Sequence, residues 1–265
     1  RAAAARVYAE YVKRYPAPVG PALDARQTLA DLARDASDPE GRKRWLEDII
    51  VADHGAGSER TDRTKYLAAT AALELARPLD AAARAIRLAL PLEKSFAAKR
   101  KALEAALGAY GRAEEYGVAQ VTTASAFAMA DLYRHLGRAL LESDRPKGLD
   151  ADELEQYDVL LEEQAFPFEE KAIGIHERNV RLAAQGVYDE WVQKSYAELA
   201  QLKPGRYARL EVADEPAAGS SLAPESDPAA QNLLGVQKRR AGQFADARSA
   251  YERALALDPN FADAE

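Results

Sequence analysis

Three histidines, His54, His135 and His176, are the first residues to weigh for chemistry, because the chain contains no cysteine. The absence of cysteine removes disulfides, zinc–thiolate sites and thiol nucleophiles together. Helical metal sites pair a histidine with a carboxylate or a second histidine three or four residues away, which puts both ligands on one face. His176 has Ile173 and Ala172 at those positions, so it has no such partner. His135 sits beside an apolar seam through Leu132 and Leu136, the pattern of a core-edge histidine. His54 opens the turn His54-Gly55-Ala56-Gly57, which lacks the Lys-Ser/Thr that completes a phosphate loop. No Gly-x-Ser-x-Gly nucleophile elbow occurs. Carboxylate pairs such as Glu162-Glu163 and Glu169-Glu170 contain the atoms for acid–base work, but their spacing is that of a charged helix face. The expectation is a protein without catalytic, cofactor or metal residues.

Charge is more informative. Between Asp150 and Lys171 stand nine carboxylates (Asp150, Asp152, Glu153, Glu155, Asp158, Glu162, Glu163, Glu169 and Glu170) against Lys171 alone. That local charge of −8 compares with −7 for the whole chain. Leu154, Tyr157, Leu160 and Leu161 form an apolar stripe that can face a core. Glu155, Asp158, Glu162 and Glu163 are then left for solvent or for a basic protein partner. Lys94, Lys99, Arg100 and Lys101 form a small basic cluster, read as pairing with neighbouring acids. Net negative charge argues against a general nucleic-acid binder. No apolar run approaches the roughly 20 residues that span a bilayer.

The elements that carry these residues read as helices throughout. The chain has 265 residues, 48% hydrophobic and 30% charged, with aromatics at only 8%, enough for one large or two ordinary domains. Apolar residues recur every three or four positions, and no segment alternates with period two for a strand's length. Asp24 to Ala36 predicts a helix, followed by one starting at Asp38-Pro39 with Trp45, Ile49 and Ile50 buried. Thr64 to Ala76 is the next, ended by Pro78. Leu79 to Leu90 follows, interrupted by Pro91. Two helices of about 25 residues are expected around Leu103 to Ala113 and Val121 to Ala139, packed through small residues at 122–126. Asp150 and Glu153 form a capping pair for the acidic helix, which Pro167 kinks or restarts. Gly186 turns the chain into a last hairpin ending at Pro204. Residues 213–227 carry turn composition and no periodicity, so a mobile loop is expected there.

The segment Pro228 to Pro259 carries Leu234-Gly235, Gly242-x-Phe244, Ala247, Tyr251, Ala254 and Pro259. These residues resemble the tetratricopeptide repeat, a helix-turn-helix unit of about 34 residues. Gln231 and Lys238 depart from its usual Trp and Tyr. Within the unit, Leu233, Leu234 and Val236-Gln237 are read as one buried stripe facing Ala247, Tyr251, Ala254 and Leu255. Ala4, Tyr8, Tyr11 and Pro16 repeat the spacing of the unit's second helix, so the sequence reads as a segment of a longer repeat protein. The resemblance implies an all-α, irregular helical-repeat solenoid: degenerate repeats at 1–77, a long-helix middle at 78–212, the loop at 213–227 and a repeat unit at 228–265. It also implies a groove for a peptide or helix, with Ala229, Asn232, Val236 and Arg239 facing it. These are not the Lys/Asn set with which some members clamp a carboxylate. The strings LALPLEKS (88–95), LLESDRP (140–146) and LLEEQAFPFEEKAI (160–173) are similar to large bacterial tetratricopeptide proteins of Tol, TonB or gliding-motility envelope machines. The reading is therefore a non-catalytic protein–protein interaction scaffold, periplasmic or envelope-associated, with a cytoplasmic location as the alternative. A self-assembling structural module and an enzyme with a site among the middle helices are the competing classes.

Overall fold

A computed structural model describes residues 1–208 and 227–259. All regular structure among them is helical, and the chain divides into two compact units, Arg1–Arg209 and Leu210–Glu265. The loop expected at 213–227 lies outside the described residues except for Asp227, as does the repeat start at Phe261-Ala262.

The first unit opens with α1 (Ala2–Arg14), α2 (Val19–Asp35) and α3 (Pro39–His54). Asp38 caps α3 by accepting a hydrogen bond from the Gly41 N–H at 2.9 Å, and Pro39 occupies the first turn, where its missing N–H costs nothing. Leu46 and Ile49 are the buried face of α3, with Trp45 and Ile50 at its margins. Next, α4 (Asp62–Ala85) starts in a reciprocal cap between Thr61 and Thr64. It runs straight through Pro78, where the sequence pattern placed its end, and the helix expected at Leu79–Leu90 is only its last turns. A mid-helix proline costs roughly 3 kcal/mol, so something must offset it.

The end of α4 is held by Lys99 on α5 (Leu92–Glu114). Its side chain is 1% exposed, and Nζ donates to the carbonyls of Ala83 (3.0 Å), Arg84 (3.4 Å) and Ile86 (2.7 Å). Those carbonyls end α4 and have no intrahelical donor, and a cation is also favoured at that pole of the helix dipole. Lys99 is thus a buried cap and leaves the surface basic cluster expected from sequence. Ala76 and Ala83 of α4 pack with Leu103, Ala106 and Tyr110 of α5 in the largest core cluster. Leu88, beyond the helix end, packs with Leu140 and Ala165.

The expected long pair is present as α5 and α6 (Ala119–Leu141), each of 23 residues. Thr123, Ala124, Ser125 and Ala126 are all buried, as their small side chains allow. The acidic helix is α7 (Ala151–Arg181), opened by the reciprocal Asp150–Glu153 cap and continuous through Pro167. Its buried face is Leu161, Ala165, Ala172, Ile173, His176 and Val180. Leu154 and Leu160 are exposed, a correction to the expected stripe: Leu160 lies about 100° from Leu161 around the helix. Gly186 takes the left-handed φ of 84° that leads into α8 (Glu190–Leu202), with α9 (Pro204–Tyr207) behind it. Each helix packs on its chain neighbour, and α2, α4, α6 and α8 also touch in succession. The even-numbered helices therefore form a spine for α3, α5 and α7.

The second unit is one hairpin, α10 (Pro228–Arg240) and α11 (Phe244–Leu257). Asp227 caps α10, and Gly242 makes the turn at φ 73°. A β-carbon on Gly235 would lie 2.4 Å from the ring of Tyr251, so the helices meet only because that side chain is missing. Gln231 and Gly235 face Ala247, Ala250 and Ala254. Leu233 and Leu234 point outward, 46% and 36% exposed, against the stripe read from sequence: the seam follows the small residue.

Candidate functional site

Successive odd-numbered helices leave spaces between them over the spine. Between α1 and α3, over α2, lies a cavity of about 500 Å³ bordered by Ala5, Arg6, Leu29 and Trp45. Between α3 and α5, over α4, lies a larger one of about 840 Å³. The equivalent space between α5 and α7 is filled. There Phe96 meets Phe168 edge-on at 6.3 Å, and Tyr133 of α6 stacks on Phe168 at 6.5 Å.

The α3–α5 trough has an apolar floor of Ala72, Leu75, Pro78 and Leu79 from α4, with Leu46 and Ile50 from α3. Its rims are charged: Glu40, Lys43 and Glu47 on α3, Arg112 and Glu115 at the end of α5. Polar groups inside it are held in place. Glu74 is bound by Arg42 and, at 3.1 Å, by Arg77. Arg60 pairs with fully buried Asp53 at 2.8 Å and lies over the ring of Tyr116. The Tyr116 hydroxyl is 3.0 Å from His54 Nε2. Burial raises the Tyr116 pKa, and the negative charge of Asp53 adds to the effect, so the phenol stays protonated at neutral pH. The trough thus has an apolar floor between charged rims.

The other histidines sit elsewhere. His176 is 1% exposed, between α6 and α8. Its Nδ1 is 3.2 Å from Ser195 Oγ, and Asn179 donates to the same oxygen at 2.9 Å and to the Thr123 carbonyl at 3.2 Å. A Ser–His pair at this distance has the geometry of a nucleophile and its base, but both residues are buried, with the Phe127 ring 5.5 Å from that of His176. The His176 pKa is lowered to about 4, chiefly by desolvation, with Asp131 opposing and Arg134 contributing to the drop. It is a neutral core group. His135 is half-buried, its pKa lowered first by burial and then by the charges of Lys99 and Arg84. Among the described residues no three His, Asp or Glu side chains come together as a metal site.

The residues picked from sequence fall on two surfaces. Glu155, Glu162 and Glu163 are exposed on α7, while Asp158 is half-buried and bound to Arg145 at 2.6 Å. On α10, Ala229 and Arg239 are exposed and Asn232 and Val236 half-buried; they belong to the second unit and are described within it alone. Of the trough residues, His54 was weighed from sequence; the trough as a whole carried no signal, because α3, α4 and α5 contribute it from segments up to about 75 positions apart. No described helix is long and apolar enough to cross a membrane. No protein-family model matches the chain, and no curated protein is significantly similar to it.

Proposed function

We propose that the chain is a non-catalytic interaction scaffold built from irregular, tetratricopeptide-like helical repeats, and that the α3–α5 trough holds a peptide or helix of a partner protein. The observation that carries this reading is the trough itself: about 840 Å³ across three consecutive helices, apolar below and charged at the rims. The succession of contacts along α2, α4, α6 and α8 supports a repeat solenoid, and the Gly235–Tyr251 contact supports the repeat resemblance in the second unit. On that resemblance the scaffold works in a bacterial cell-envelope complex of the Tol, TonB or gliding-motility kind, with Asn232, Val236 and Arg239 as further partner contacts. Leu79→Glu with Arg112→Glu changes two exposed trough positions without touching the core. Quantitative affinity capture from the source cells should lose specific partners with this variant; the same partners at the same yield would refute the trough.

A self-assembling module is the second reading, favoured by Leu233, Leu234, Phe244 and Leu257, all at least 36% exposed on one small hairpin. Mass by light scattering that rises with concentration, and falls back in Leu233→Gln/Phe244→Gln, would establish it.

A further inference from the structure

The outward face of α7 carries an apolar ridge that no described residue of the first unit covers. Phe166 is 63% exposed and Val159 48%; seven residues apart, they lie within about 20° of each other around the helix. On a helix surface the neighbours of a residue are those three and four positions away. For Phe166 these are Glu162, Glu163, Glu169 and Glu170, all exposed. For Val159 they are Glu155, Gln156, Glu162 and Glu163. The ridge is therefore bordered on one side by Glu155, Glu162 and Glu169 at heptad spacing, and on the other by Glu163 and Glu170.

None of these five carboxylates has a cation partner among the described residues. The acid beside them that does, Asp158, is taken by Arg145. Lys171, the one base of the segment, lies over the rings of Tyr133 and Phe168 on the packed side. Pro167 adds a further acceptor, because its missing N–H leaves the Glu163 carbonyl without an intrahelical donor. No residue of α7 lines the α3–α5 trough, so this surface is separate from the one proposed above.

We infer that the α7 ridge docks an amphipathic basic helix, with apolar side chains at heptad positions over Val159 and Phe166 and Lys or Arg flanking them. Two rows of carboxylates astride an apolar ridge complement that pattern in charge and in spacing, as flanking charges do in a two-helix seam. The same α7 face of a second copy does not complement it, since acidic rows would oppose acidic rows. The docked cations relieve the mutual repulsion of the Phe166 ring of glutamates, and burial of Phe166 supplies the anchor.

The test uses the full chain and a fluorescein-labelled synthetic helix of three heptads, with Leu at a and d and Lys at e and g. A scrambled isomer of identical composition is the control. Fluorescence anisotropy should show the Lys helix binding more tightly than its isomer, and more weakly as salt rises. Phe166→Gln should weaken binding by about tenfold or more. Gln at 162, 163, 169 and 170 should weaken it and flatten the salt dependence, and Leu79→Glu in the trough should change neither. Circular dichroism melts of each variant should match the parent, since all these side chains are exposed. Equal binding of the scrambled isomer, unchanged binding by Phe166→Gln, or no binding at all overturns the proposal. So does a dimer of the parent that Phe166→Gln dissolves, which would make the occupant a second copy.

Discussion

A β-carbon at position 235 would fall 2.4 Å from the Tyr251 ring, so Gly235→Ala should cost roughly 1–3 kcal/mol by overpacking, read as lost helicity of the α10–α11 hairpin on heating. Ala247, 3% exposed in the same seam, should respond to Ala247→Leu in the same direction and by a similar amount. Lys99→Met keeps the volume but strips the α4 terminus of its donor. It should destabilise the first unit by roughly 1–3 kcal/mol, the range for leaving buried polar groups unpaired, and a thermal melt at neutral pH reads it. His176 makes stability depend on pH. Its folded pKa of about 4 lies below the ordinary 6.5, so the unfolded chain binds the proton first. The stabilisation is complete above about pH 6.5 and is lost as pH falls toward 4, a change of roughly 3 kcal/mol. His176→Gln should flatten that part of the urea-denaturation profile; a slope equal to the parent's would remove His176 as its cause.

Helices whose ends are set by neighbours in sequence were legible before any fold was known. Asp38, Asp150 and Asp227 each accept from an N–H two or three residues on, and those contacts follow from spacing alone. Asp150→Ala should accordingly cost about 1 kcal/mol and fray the first turn of α7, visible as faster amide exchange at 151–154 with little change beyond. The end of α4 was not legible, because the residue that secures it, Lys99, stands 13 positions past Ile86 and in another helix. Pro78 looked like a stop for want of that information. The same limit explains Leu160, Leu233 and Leu234. Periodicity shows that a helix has an apolar side, but which of two adjacent stripes is buried depends on where the next helix lies. In the hairpin that choice is made by Gly235, and on α7 the close approach of Gly137 of α6 to the Ala165 backbone marks the buried side.

At the scale of the molecule, helices α3 and α5 stand apart over α4, whereas α5 and α7 are bridged by Phe96, Phe168 and Tyr133. An open space thus lies beside a filled one of the same construction in the first unit. That the described residues are all helical was readable from residue types and spacing. The trough was not, since its floor and rims converge only once three helices pack. The account rests on that trough being occupied by another protein. Its most direct test is site-specific photo-crosslinking in the source cells, with the photoreactive side chain placed at Leu79 in the trough and, separately, at Tyr66, which is exposed on the same helix outside it. A discrete protein adduct at position 79 that is absent at 66 and lost on adding Arg112→Glu is the predicted result; adducts of equal yield at both positions, or none at 79, would contradict the account.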